Sequence, residues 1–212
     1  MPLLLLHGLS GNEHDHWQTW VAHEARSAGS EVRYPDLPSP DEPSVDAWVD
    51  AVLPLIQLLQ PSSAADERPD RDGPDVGGLV VLAHSLGCHL WAHVVARARR
   101  QDQARWDPLA ARVLLVAPPG ELEVRKHIPS FEPAALTVGL LAACTSTTVL
   151  LGQDDPWIAD PGHLLASGLA VRQVADGGHL NVESGYGPWP AMARWVRGGT
   201  PPGRRVTPAC FR

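Results

Sequence analysis

The sequence contains no long apolar run. Its apolar opening, Met1 to Leu6, is far too short for a membrane span or a signal-peptide core, and it lacks a basic flank. A cytoplasmic protein with no membrane partner is the expectation. Cysteine is scarce as well. Cys88, Cys144 and Cys210 cannot all pair within one chain and have no metal-ligand spacing, so reduced thiols are expected. No run of Lys and Arg offsets the net charge of -7, which argues against a nucleic-acid partner. No internal repeat recurs at a fixed period, which sets solenoids aside.

What remains suits one sizeable core. The 212 residues are 44% apolar, an ordinary globular composition. Residues 1–197 read as one domain. Within it, residues 61–77 carry Pro, Ser, Asp, Gly and Arg with almost no apolar residue, and read as a mobile surface insertion. Residues 198–212, with Pro201, Pro202 and Pro208, read as a C-terminal tail.

The most informative stretch is Gly78 to Cys88. Leu79 to Ala83 is a short buried strand, and Leu86, Leu90, Trp91, Val94, Val95 and Ala98 then recur at helical spacing. Ser85 stands at the corner between them. Strand, sharp turn and helix with serine at the turn is the nucleophile elbow G-x-S-x-G, written here Ala83-His84-Ser85-Leu86-Gly87. The residues two before and two after the serine approach closely, so both must be small. An ordinary turn capped by Ser85 is the bland alternative.

Further strands are expected at Pro2 to Leu6, Val32 to Tyr34, Arg112 to Ala117, Thr147 to Leu151 and Ala170 to Ala175. Helices are expected at His16 to Ala28, after Ser44 to Leu59 with a kink or break at Pro54, at Ala134 to Cys144, Gly162 to Gly168 and Trp189 to Val196. Glu121 to Pro133 reads as mostly loop. Alternating strands and helices specify a three-layer α/β fold, its sheet of about six strands mostly or wholly parallel. In such sheets the site lies beyond the carboxyl ends of the strands.

Those ends carry His7-Gly8-Leu9, Ser85, Asp154-Asp155 and Gly177-Gly178-His179 in turn. Ser, then Asp, then His is the chain order of α/β-hydrolase triads. Ser85 needs a base to take its proton, and His179 is the side-chain type for that near neutral pH. A carboxylate fixes the imidazole tautomer, and the pattern leaves both Asp154 and Asp155 open. The backbone N–H groups of Leu86 and Leu9 are the candidate oxyanion hole. Leu9, Trp17, Leu86, Trp157 and Leu180 are the apolar residues near Ser85, and Trp17, Trp157 and Leu180 are the expected pocket lining.

Several motifs then match one family in order. Leu82 to Cys88 with Trp91, the early His16-Trp17-Gln18 with Trp20, Asp154-Asp155-Pro156-Trp157, and Gly178-His179-Leu180-Asn181 with Gly185 to Pro190 resemble the small lidless serine hydrolases related to retinoblastoma-binding protein nine. The resemblance spans roughly Leu3 to Arg197. It implies a compact α/β-hydrolase without a lid domain, esterase activity on small activated esters, no cofactor, and Ser85, Asp155 and His179 as the triad, with the acid directly before proline. The insertion and the tail depart from the family pattern.

Other candidates weigh less. His14 and His16 with Glu13 and Asp15 read as a solvated loop before a helix and not as a metal site, since no third ligand has recognisable spacing. His89 and His93 continue into Arg97 and Arg100 as a surface face. His163 lies in a helical segment and not after a strand. Cys88 lies inside the elbow helix, and His84 is expected to pack or hydrogen-bond. Trp48, Trp91 and Trp195 are expected in the core. The leading expectation is a serine hydrolase acting on a small acyl substrate. A non-catalytic scaffold of the same fold, or a lyase or cyclase using the same triad, is the alternative.

Overall fold

A computed structural model describes residues 1–59, 78–102, 108–137 and 139–206. The expected insertion, Cys210 and the last residues of the tail lie outside the described residues. Seven strands form one sheet: β1 (Leu3–Leu6), β2 (Val32–Arg33), β3 (Val80–His84), β4 (Ala110–Val116), β5 (Cys144–Gly152), β6 (Ala170–Val174) and β7 (Arg204–Val206). Their order is β2-β1-β3-β4-β5-β6-β7, parallel throughout except for the antiparallel pair β6 and β7. The helices are α1 (Trp17–Ser27), α2 (Val45–Leu59), α3 (Leu86–Gln101), α4 (Glu121–His127), α5 (Gly162–Leu165) and α6 (Pro190–Val196). Among the described residues no helix is long and apolar enough to cross a membrane.

Side chains alternate across each strand, and that alternation builds two cores. Leu3, Leu5, Val80, Leu82, Leu114 and Val116 meet Trp17 and Val21 of α1 and Met192 and Trp195 of α6. Leu4, Leu6, Val81, Ala83, Val113 and Leu115 meet Trp48, Val52 and Ile56 of α2 and Leu90, Trp91 and Val94 of α3. Covered on both faces, the central strands have no polar side to spare, which is why they read as continuous apolar runs. The chain leaves β1 for β2 on one side and resumes at β3 on the other. The carboxyl ends of β1 and β3 therefore flank the crevice where such sheets bind ligands.

The elbow is as the motif implies. β3 ends at His84, α3 begins at Leu86, and Ser85 between them has φ 52° and ψ -126°. A methyl group at Gly87 would lie 2.5 Å from the Leu6 carbonyl oxygen and 2.6 Å from that of His7. Only glycine lets the first turn of α3 pass so close to the end of β1.

Four expectations change. Glu121 to His127 is a helix and not a loop: Glu121 and Glu123 fill its first turn and Arg125, Lys126 and His127 its last, each complementing the helix dipole. Among its described residues, Ala134 to Cys144 holds only a short 3-10 turn at Leu140–Ala143. There the Ala134 N–H donates to His89 Nδ1 and not to a helical carbonyl. The tail supplies a seventh strand, because Arg172 on β6 donates to the carbonyls of Pro202 and Gly203 and Val206 is buried. Pro54 does not break α2, which runs on from Val45 to Leu59; both it and Asp50, to whose carbonyl it has no N–H to donate, face solvent. Between β4 and β5 the described residues hold only α4 and the 3-10 turn, and no lid domain is inserted there.

Buried histidines gather near the carboxyl ends of the strands. His7, His16, His84 and His89 are all nearly inaccessible. His89 thus lies inside, and not on a surface face: its Nε2 donates to the Pro119 carbonyl at 2.9 Å. Burial holds all four below the ordinary imidazole pKa, and for His16, with His179 and His7 adding to the effect, it is lowered to about 4.

An acid lability follows. The unfolded chain takes up protons on these groups near pH 6.5 while the folded chain does not, so stability rises with pH in that window. It is complete above about pH 6.5 and is lost as pH falls toward 4. His16 alone accounts for about 3 kcal/mol, at ~1.36 kcal/mol per pKa unit. The urea midpoint should drop between pH 7 and 4.5, and drop less in His16→Asn, which keeps an oxygen to cap α1. Equal drops in both proteins would assign the lability elsewhere.

Candidate active site

Three loops from separate strands bring Ser85, His179 and Asp155 together. His179 Nε2 lies 2.9 Å from Ser85 Oγ, and His179 Nδ1 lies 2.9 Å from Asp155 Oδ2 and 3.0 Å from Oδ1. An ionised carboxylate only accepts, so the Nδ1 proton points at Asp155 and Nε2 is left to accept from the serine hydroxyl. Asp155 is the buried member of its pair: its carboxylate is fully enclosed, whereas Asp154 is exposed at φ 60° on the turn after β5. Asp155 Oδ1 also accepts the Trp157 N–H at 2.9 Å, which fixes the carboxylate plane.

His179 is held from four directions. The Gly178 N–H donates to the Gln153 carbonyl, tying the turn after β6 to the turn that carries Asp155. The His179 N–H donates to Ser184 Oγ at 3.0 Å. His84 Nε2 donates to the His179 carbonyl at 3.0 Å, and Trp17 Nε1 to the Leu180 carbonyl at 2.7 Å. The last bond corrects an expectation. Trp17 and Leu180 are wholly buried members of the core and position the base loop; they do not line the pocket. His163 bonds the Asp160 carbonyl on α5 and has no part in this arrangement.

The loop after β1 closes the other side. A methyl group on Gly8 would fall 2.7 Å from Ser85 Cβ, so this backbone abuts Ser85 directly. His7 Nδ1 donates to the Gly8 carbonyl at 2.7 Å while its Nε2 accepts the Leu37 N–H at 3.1 Å. The bonded carbonyl belongs to the same peptide unit as the Leu9 N–H. In a trans peptide the two point opposite ways, so His7 also sets the direction of that donor. Leu86 opens α3, where the first N–H groups have no partner within the helix. Its side chain is buried in the core.

A cavity of about 200 Å³ surrounds Ser85. Leu9, Pro119, Ile128 and Trp157 supply its apolar wall, and Glu13, His16, Asn181 and Glu183 much of its polar one. Pro119 lies just beyond the end of β4, where the strand-end rule points. Ile128 and Glu183 gave no sequence signal, since packing sets the course of the chain there, and Glu13, on the expected solvated loop, proves to line the cavity as well. Among the described residues, no group of three His, Cys, Asp or Glu side chains is gathered as a metal ion requires. His14 instead contacts Asp15 at 2.8 Å and His16 caps α1.

Comparison with known proteins bears on the fold and the family. No protein of curated function matches the chain in sequence. Among solved structures, the ydeN gene product of B. subtilis superposes with a TM-score of 0.68 at 16% identity, over 93% of this chain and 97% of that one. A YdeN-like hydrolase from Pectobacterium atrosepticum gives 0.61 at 20% identity, over 93% and 89%. A dienelactone hydrolase from Anabaena variabilis gives 0.55 at 15% identity, over 93% and 83%. Identities this low establish the shared α/β-hydrolase fold. The family model of the serine hydrolases matches residues 3–63 and 74–197, and the chain belongs to that family.

Proposed function

We propose that this protein is a carboxylesterase that cleaves small esters through an acyl-enzyme on Ser85. The observation that carries the reading is the unbroken line of hydrogen bonds from Asp155 through His179 to Ser85 at a strained elbow. Ser85 Oγ attacks the ester carbonyl as His179 Nε2 takes its proton, giving a tetrahedral oxyanion. The N–H groups of Leu86 and Leu9 receive that charge. His179 returns the proton to the departing alkoxide, which leaves as the alcohol. Water then attacks the acyl-Ser85 ester with the same base, releasing the acid and the free serine. Asp155 stays ionised throughout and stabilises the imidazolium.

A fluorophosphonate probe should label Ser85, and Ser85→Ala should abolish labelling and turnover of nitrophenyl acetate. Asp155→Asn should cost on the order of 10⁴-fold in kcat through the wrong imidazole tautomer, and Asp154→Asn little. Labelling of another serine, or the larger loss at Asp154, would contradict these roles.

Substrate length follows from the cavity wall. A long acyl chain needs apolar surface for each methylene, worth about 0.8 kcal/mol apiece. Leu9, Pro119, Ile128 and Trp157 cover only a few carbons. Across nitrophenyl esters from acetate to palmitate, kcat/KM should peak at short chains and decline beyond octanoate. A steady climb past octanoate would reveal an acyl tunnel and overturn the short-chain reading.

A further inference from the structure

His16 is an unusual helix cap. Its Nδ1 accepts the Gln18 N–H at 3.2 Å, satisfying a donor in the first turn of α1. A backbone N–H can only donate, so Nδ1 carries the lone pair and the ring proton of the neutral imidazole sits on Nε2. That Nε2 is buried and has no partner among the described residues. The other buried histidines of this region spend their protons on the protein: His7 on the Gly8 carbonyl, His84 on the His179 carbonyl and His89 on the Pro119 carbonyl.

The ring packs against those of Trp17, at 5.1 Å between centroids, and His84, at 4.8 Å, and the cap bond holds its Nδ1 toward α1. A buried donor left unsatisfied is strongly disfavoured unless something accepts from it. His16 also lines the cavity that contains Ser85, beside the pocket-facing residues Glu13 and His84. Among the described residues nothing accepts from Nε2–H, and the source of an acceptor left to it is whatever occupies that cavity.

We infer that His16 is a specificity-determining residue, whose Nε2–H donates to a neutral oxygen of the substrate other than the carbonyl under attack. This rests on the esterase reading above. A neutral acceptor, such as an ether, hydroxyl or second carbonyl oxygen, fits better than a carboxylate. Glu13 and Glu183 line the same cavity, and among the described residues no Lys or Arg lines it to hold an anion. Sites built to hydrogen-bond a substrate group discriminate far more sharply against analogues lacking it than apolar pockets do against a missing methylene.

Two matched ester pairs differ only by oxygen for methylene: nitrophenyl methoxyacetate against nitrophenyl butyrate, and 2-methoxyethyl acetate against butyl acetate. The first probes the acyl side and the second the alcohol side. In the wild-type enzyme kcat/KM should favour the oxygen member of at least one pair. In His16→Asn and His16→Ser, both of which keep an oxygen cap for α1, that ratio should fall tenfold or more. Comparing ratios between proteins cancels the intrinsic reactivity of each ester. Ratios unchanged within twofold for both pairs, in a variant with a native thermal transition, would overturn the assignment.

Failure of the esterase reading looks different: the wild-type enzyme would turn over none of the four esters. The assignment is then decided in Ser85→Ala, by the imidazole ¹H–¹⁵N resonances on adding 2-methoxyethyl acetate or butyl acetate. A shift at His16 Nε2 with the methoxy ester alone supports it. No shift with either, or equal shifts with both, overturns it.

Discussion

A serine with φ 52° and ψ -126° occupies backbone space that L-residues avoid, at a cost of about 1–3 kcal/mol. Ser85 is held there because its flanks cannot relax. Behind it, β3 is paired on both edges, and its ladder ends with the Ser85 N–H bonded to the Val116 carbonyl at 2.9 Å. Ahead of it, α3 is buried along most of its length and runs past the end of β1 at contact distance through Gly87. The strain has a chemical consequence. A serine before a helix ordinarily turns its hydroxyl onto the first-turn N–H groups. Ser85 makes no such side-chain bond, and its Oγ is left to His179.

His179 depends on the sheet just as closely, though it sits on a loop. Its backbone is fixed by Trp17 from α1, His84 from β3, Gln153 beyond β5 and Ser184 within its own turn. A single tether would leave the imidazole free to rotate about it. Four from different directions hold the ring where its two nitrogens meet a carboxylate and a hydroxyl at once. Trp17 and Leu180 thus matter to the site although neither side chain faces it. Burial makes their bond dry, and a dry bond to a carbonyl is costly to break.

Much of this was legible in the sequence because it depends on short-range pattern. The buried strands, the elbow and the order Ser, Asp, His all follow from spacing and from which residues close each strand. The strand-end pattern leaves Asp154 and Asp155 open and the family resemblance points to the residue before proline; the fold adds that the Asp155 carboxylate turns inward to His179 while Asp154, at φ 60°, faces out. Trp17 and Leu180 lie beside His179 in the fold but turn their side chains to the core, because distance along the chain says nothing of side-chain direction. Helix α4 escaped notice because seven residues with one buried side chain, Val124, give almost no periodicity. Strand β7 escaped because three residues, two of them exposed arginines, form a strand only when β6 offers its edge.

The histidines show how a local role constrains a functional one. Asp, Asn, Ser or Thr at the start of α1 would cap the helix with an oxygen and present nothing further. Histidine caps with one nitrogen and, through the same bond, commits its proton to the other. His7 is constrained in the same way: the Leu37 N–H occupies Nε2, so Nδ1 must donate, and its acceptor is the carbonyl of the peptide that carries the Leu9 N–H. In both rings a backbone donor selects the tautomer, and burial keeps the ring neutral so that the selection persists. A protonated ring would lose both assignments together, since an imidazolium accepts from nothing. The pocket around Ser85 therefore combines directional neutral donors with a rim of Glu13 and Glu183. That favours a substrate oriented by its own uncharged oxygens over one held by charge.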